Sequence, residues 1–281
     1  MIKLIAVDLD GTMVNDQLVV PEETQAVCKR LLTETDVRLV VATGRMFPSA
    51  MPFVKALGTK EPVVAYQGAM IRAQDNQNTL LKHEPISLAV AEPLLRFLVA
   101  EGYSTNLYVN DTMFTNHDNP YATRYSRMAG IEPIFTNDLL SQLTDAPSKL
   151  LVIDDKDGAA HVRERLVEHF PNQLNFCISR SNFCEIIHPD ASKWDAIWSL
   201  AQTWGIPQEA IMAIGDQDND ISMLSQAGVG IAMGQAPSEV KAVATGVTES
   251  IAEHGAAKAI ARYIFDGEPL PRRKQPQTAL A

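Results

Sequence analysis

The stretch LIAVDLDGTMV, residues 4–14, decides how the rest of the chain reads. An apolar run ends there in two carboxylates, Asp8 and Asp10, followed at once by Gly11 and Thr12. Residues 2–7 (IKLIAV) have the short, nearly all-apolar character of a strand buried on both faces, the habit of parallel sheets. In an extended strand, residues two apart point to the same side, about 6.5 Å along the chain. Asp8 and Asp10 are therefore expected to converge at the C-terminal end of this strand, the edge where open α/β sheets bind their ligands. Like charges there repel unless a cation lies between them, and oxygen ligands suit Mg²⁺. Taken alone, Asp-Gly is equally well a tight turn.

Outward from this stretch an α/β rhythm continues. Pro21, Glu22 and Glu23 open a helix, because proline suits the first helical position and acids suit the N-terminal dipole. Residues 37–42 (VRLVVA) and 62–66 (PVVAY) read as further strands. The rhythm breaks after Gly68. Two hairpins are expected, at 70–81 and 105–115, then a helix over 87–101, a strand over 149–153, a helix over 156–170, and strands over 175–179 and 183–187. The rhythm returns with a helix over 192–204 and a strand over 210–214. The pattern predicts a doubly wound, mostly parallel Rossmann-like α/β core with an inserted α+β domain. The core is drawn as residues 1–82 and 185–265, the insertion as 83–184, and a mobile tail as 266–281, which holds three prolines and three cationic residues. Proline-containing linkers are expected near 81–85 and 187–191.

The bulk properties narrow the function. A length of 281 residues favours two units over one. A net charge of −10 argues against a general nucleic-acid binder, which needs a basic face. No apolar run is long enough to span a bilayer, and the acids at 8 and 10 interrupt the only N-terminal apolar segment. The three cysteines show no metal spacing and leave one over, so reduced thiols and a cytoplasmic location are expected.

A second acidic cluster follows a second strand: AIGDQDNDIS supplies Asp216, Asp218, Asn219 and Asp220. An EF-hand is excluded, since the sixth position is Ile221 and the twelfth is Ala227. A polar helix start would account for the acids without any ligand. Thr43, Gly44 and Arg45 end another strand, where a hydroxyl and free N–H groups can hold phosphate oxygens. Lys193, in ASKWDAI, sits in the first turn of a helix, where a cation opposes the dipole and a nearby anion would offset the cost. A solvated surface lysine is the plain alternative.

Taken together and in this order, DLDGT (8–12), TGR (43–45), SK (192–193) and GDQDND (215–220) resemble the haloacid dehalogenase superfamily. The insertion between the second and third motifs is similar to the large cap of its Cof-type, class IIB, Mg²⁺-dependent phosphatases. The resemblance implies that Asp8 is the nucleophile and forms an aspartyl-phosphate, with Asp10 as acid and base. It implies Mg²⁺ held by the Asp8 carboxylate, the Asp10 backbone carbonyl and Asp216. Thr43, Gly44, Lys193 and Asn219 would bind the phosphoryl group, and Asp220 would orient Lys193 or a metal-bound water. The implied substrate is a small phosphorylated metabolite, a sugar phosphate before flavin mononucleotide or pyridoxal phosphate. A phosphomutase, or a non-catalytic binding protein on the same scaffold, stays open as an alternative. Two positions depart from the pattern: Gln67 stands where Asn is usual before Gly-Ala, and Trp194 follows the lysine where Gly is usual.

Overall fold

The computed structural model describes residues 1–116 and 120–271; His117 and the tail beyond 271 lie outside the described residues. The chain opens with strand β1 (Leu4–Val7), helix α1 (Glu22–Glu34), β2 (Arg38–Val41), α2 (Phe47–Leu57) and β3 (Val63–Ala65). A tight turn leads to the antiparallel pair β4 (Met70–Arg72) and β5 (Leu80–His83). The insertion comprises α3 (Leu88–Ala100), β6 (Ser104–Val109), β7 (Thr112–Thr115), α4 (Pro120–Ala129), β8 (Ile134–Phe135), β9 (Lys149–Ile153), α5 (Gly158–His169), β10 (Asn175–Arg180) and β11 (Phe183–Ile187). The chain then returns through α6 (Lys193–Thr203), β12 (Ile211–Gly215), α7 (Ile221–Gln226), β13 (Val229–Ala232), α8 (Ser238–Val243), β14 (Gly246–Val247) and α9 (Gly255–Ile260).

The core sheet is parallel, in the order β14-β13-β12-β1-β2. A single parallel bridge, Ala42 to Val64, hands it on to β3. β1 is central and wholly buried, as its all-apolar sequence requires. Its alternation divides the interior. Leu4 and Ala6 face α6 and α7, through Trp194, Ile197 and Leu224. Ile5 and Val7 face α1, α2 and α9, through Leu31, Val54 and Ile260. The insertion builds a six-stranded, mostly antiparallel sheet in the order β10-β11-β9-β6-β7-β8.

Two expectations need correction. A unit boundary after residue 184 would cut β11, because Glu185 and Ile186 continue the pairing with Leu151 and Leu150 on β9. The antiparallel sheet therefore runs to Ile187. The expected tail begins too early: Leu270 packs on the core and Pro271 lies against Gly246. Helix α4 and the two-residue strands β8 and β14 went unread, being short or weakly patterned. The cysteines are free, and Cys177 and Cys184 cannot pair across the β10–β11 ladder, where Cys177 opposes Glu185 and Cys184 opposes Ile178 on the other face.

Trp194 is only 4% exposed and lies parallel to Trp198 with ring centroids 5.9 Å apart. It packs beneath the sheet and lines none of the cavities near the carboxylates. Removing a buried tryptophan side chain typically costs about 3–5 kcal/mol. Trp194→Ala should lose stability on that scale, read as a lower urea midpoint in equilibrium unfolding.

Candidate active site

The site lies at the C-terminal edge of the parallel sheet, where three separate segments meet. Asp8 leaves β1, and its amide donates to Ile214 O at 3.0 Å. Lys193 begins α6, whose N-cap is Ser192, with its hydroxyl accepting the amide of Asp195 at 3.1 Å. Asp216 and Asp220 follow β12 through a single turn, Asp218–Asp220. The Lys193 ammonium, fully buried, lies 2.6 Å from Asp8 Oδ1 and 2.7 Å from Asp220 Oδ1. The anion needed to offset a cation at a helix start is thus supplied twice, and the surface-lysine alternative is ruled out.

Asp220 is spent on structure. Its Oδ1 accepts from Lys193, and its Oδ2 accepts the amides of Asp216 and Gln217 at 2.8 and 3.0 Å. Asp216 is held loosely: Thr12 Oγ1 donates at 3.3 Å, Gln217 Nε2 at 3.2 Å and Gln235 Nε2 at 3.4 Å. Asp8 Oδ2 accepts no hydrogen bond from the described residues. Oxygens of Asp8, Asp216 and Asp220 lie within 4.8 Å of one another. Three buried carboxylates share one ammonium, and the surplus charge shows in their ionisation. Burial, with Asp220 and Asp216 alongside, drives Asp8 well above the usual carboxylate range against the pull of Lys193. Burial and Asp220 push Asp216 up to about 7.

These features fit a hard divalent cation. The donors are all oxygens. Asp8 Oδ2 is unspent and the bonds to Asp216 are long, at 3.2–3.4 Å, while Asp220 is held by shorter ones of 2.7–3.0 Å. Gly11, in left-handed backbone with φ 81°, leaves room for the carboxylate, since a Cβ there would lie 2.4 Å from Asp216 Oδ2.

The Asp10 carboxylate turns away from this cluster. Arg45 Nε donates to Asp10 Oδ2 at 2.7 Å and Nη2 to Oδ1 at 2.6 Å, a bidentate pair. Asp8 and Asp10 still border one cavity, with Thr43, Gly44, Arg45 and Asn219. The Thr43 hydroxyl accepts the Arg45 amide at 3.1 Å, which leaves its proton free to donate. The Gly44 N–H donates to no group among the described residues. Asp8, Asp10, Thr43, Gly44 and Asn219 thus border one cavity, Asp216 borders the cleft beyond it, and Lys193 and Asp220 lie buried behind Asp8. Beyond them a cleft of about 790 Å³ opens toward the insertion, bordered by Tyr125, Arg180 and Phe183.

Several neighbours carry no role in the sequence reading. Arg45 belongs to a motif read only for its hydroxyl and glycine. Lys149 and Glu185 sit on wholly buried strands, KLLVI and FCEII, and pair at 2.7 Å. A lone charge within an apolar strand is the signal that could have found them, since a buried charge needs a partner.

Comparison with known proteins agrees with this geometry. The family model for haloacid dehalogenase-like hydrolases matches residues 5–260. The phosphatase YwpJ of Bacillus subtilis is 30% identical, covering 91% of this chain and 97% of its own. The pyridoxal phosphate phosphatase YbhA of Escherichia coli is 28% identical, covering 89% and 96%. A crystal structure of a haloacid dehalogenase-like hydrolase from B. subtilis superposes with a TM-score of 0.84 at 26% identity, covering 94% of this chain and all of that one. With a match that spans both halves of the core and the insertion between them, the chain belongs to the haloacid dehalogenase-like hydrolases.

Proposed function

We propose that this haloacid dehalogenase-like phosphatase is a Mg²⁺-dependent phosphomonoester hydrolase that works through an aspartyl-phosphate on Asp8. The observation that carries the reading is the state of Asp8. One oxygen is fixed by Lys193, and the other is unspent at a cavity bordered by Thr43, Gly44 and Asn219, groups able to hold phosphate oxygens. Fixing one carboxylate oxygen limits rotation and leaves the second to attack phosphorus in line.

As the Asp8 Oδ2–phosphorus bond forms, the ester P–O bond breaks, and Asp10 delivers a proton to the leaving oxygen. For that, one Asp10 oxygen must let go of Arg45 and take up a proton from solvent before the step. Asp10, then anionic, takes a proton from water as the water oxygen attacks phosphorus. Inorganic phosphate leaves, and Asp8 is regenerated. Thr43 Oγ1, the Gly44 N–H, the third N–H of Lys193 and the Asn219 carboxamide hold the phosphoryl oxygens and stabilise the charge that develops on them. Asp8 and Asp216, with the Asp10 backbone carbonyl, would hold Mg²⁺, which supplies charge neutralisation between an anionic nucleophile and an anionic ester. Asp220 acts by orienting Lys193.

The cavity that would take the leaving group is lined from the insertion by polar side chains, Ser179 and Arg180, and by aromatic ones, Tyr125 and Phe183. The polar groups can bind the hydroxyls of a sugar phosphate and the aromatic ones can pack on a ring; a sugar phosphate is the first choice, and one relative is named for pyridoxal phosphate. A panel of phosphate esters with Mg²⁺ tests the choice: sugar phosphates should rank first in kcat/KM.

Asp8→Asn keeps the shape and removes the attacking anion. Turnover should fall by at least about a thousandfold. Folding should persist, because Lys193 keeps Asp220 and one buried charge is gone. Robust hydrolysis by the purified variant would refute the nucleophile.

A metal prediction follows from Asp216. Its carboxyl moves from an ordinary 3.8 to about 7 in the folded protein. An acid raised on folding costs stability when ionised: the cost is absent below its unfolded value and complete above its folded one. The metal-free protein should lose this contribution as pH rises from about 4 through about 7. Mg²⁺ binds the ionised form, so it should raise Tm more at about pH 8 than at about pH 5.5. Equal shifts at both would count against the site.

A further inference from the structure

Gln67, where the chain departs from its family's pattern, is 1% exposed and takes the left-handed backbone conformation with φ 59°. It lies in the turn after β3, with its amide donating to Thr43 O at 3.0 Å. Its side chain spans two residues from different parts of the fold. Nε2 donates to Glu185 Oε1 on β11 at 3.0 Å, and Oε1 accepts from Asn219 Nδ2 at 3.0 Å. Glu185 is in turn held by Lys149 on β9, whose ammonium donates to Glu185 Oε2 at 2.7 Å and to Gly44 O at 2.6 Å. Lys149 and Glu185 are 1% and 5% exposed. The close approach of Gln67 to the phosphate loop needs a glycine there, since a Cβ at position 44 would lie 2.2 Å from Gln67 Nε2.

The donor and acceptor roles along this chain leave one arrangement. An ammonium only donates, and the carboxylate it holds only accepts. Glu185 must therefore meet the nitrogen of the Gln67 carboxamide, which turns the oxygen toward Asn219. Asn219 must answer with its own nitrogen. Its Oδ1 is buried without a partner, and the second N–H of its amide is unspent among the described residues. Turning Gln67 over would set two acceptors face to face at Glu185 and leave buried groups unpaired. Turning Asn219 over would set its oxygen against that of Gln67 and aim lone pairs at an anion.

We propose that Gln67 is a positioning residue for phosphate binding, the middle of a hydrogen-bond relay, Lys149–Glu185–Gln67, by which the inserted sheet fixes Asn219 as a donor to the phosphoryl group. The inference rests on the phosphatase reading and extends it. The insertion helps to shape the phosphate cradle, at Asn219 through Gln67 and at Gly44 through Lys149, besides covering the leaving group.

Inorganic phosphate has no leaving group, so its binding separates this role from selection of the alcohol. The Kd for inorganic phosphate in Mg²⁺ is measured by calorimetry on the full chain. Gln67→Asn adopts left-handed backbone readily, so it should fold, but its shorter side chain cannot span both partners. Gln67→Met keeps the length and loses both hydrogen bonds. Each should weaken phosphate binding about tenfold, the scale of one hydrogen bond to a charged group. In turnover, KM should rise by more than kcat falls. Because Gln67 acts through Asn219, the double variant Gln67→Asn/Asn219→Ala should bind phosphate within about twofold of Asn219→Ala alone. Unchanged Kd in both single variants, or losses that add in the double variant, would overturn the relay. If the wild-type protein neither bound phosphate nor hydrolysed any ester, the phosphatase reading would fall, and the relay with it.

Discussion

The ammonium of Lys193 lies fully buried between Asp8 and Asp220, and the site is arranged around that contact. Burying any one of these charges alone would cost several kcal/mol, and removing the lysine would leave both carboxylates uncompensated. Burial pulls the lysine's ionisation down, but the two carboxylates outweigh it and hold the ammonium above its usual value. The lysine is therefore a permanent cation, at a helix start where the dipole alone would disfavour it. Three segments distant in sequence, the ends of β1 and β12 and the start of α6, are tied by one atom.

One cation does not balance three buried carboxylates. The surplus appears where partners are weakest, on Asp8 and Asp216, both raised by burial and by their acidic neighbours. Asp220 is held by short bonds from Lys193 and two backbone amides. Stability is given up at the two groups with the fewest or longest hydrogen bonds, which is the expected mark of a site completed by a cation.

Much of this was legible in the sequence because parallel strands and sheet-edge motifs are local patterns. LIAV, RLVV and IMAIG are mostly apolar runs of strand length, and each is followed within two residues by a polar site residue. The four motifs placed Asp8, Thr43, Lys193 and Asp216 at one edge before any contact was known. The partner of Asp10 was hidden, since nothing in TGR says which side chain its arginine meets. The end of the insertion was misplaced by three residues, because FCEII is apolar enough to belong to either sheet and only the ladder to β9 assigns it. Gln67 was visible as a departure, but its effect depends on Glu185, more than a hundred residues away, and on a buried lysine that no spacing rule connects to it.

The packing between core and insertion explains why so polar a chain of contacts can be rigid. Tyr108, Met113, Leu151 and Ile153 of the insertion belong to the same apolar cluster as Met46, Phe47, Tyr66 and Met70 of the core. Lys149 lies beside this cluster, 4.8 Å from the centroid of the Tyr108 ring. In such surroundings an unmade hydrogen bond is expensive and a made one is strong. A carboxamide there has little freedom to turn over. The apolar contact that joins the two units thus favours one polarity of the groups beside it, and the proposed phosphate cradle would receive its orientation from a sheet that contributes none of the acidic cluster.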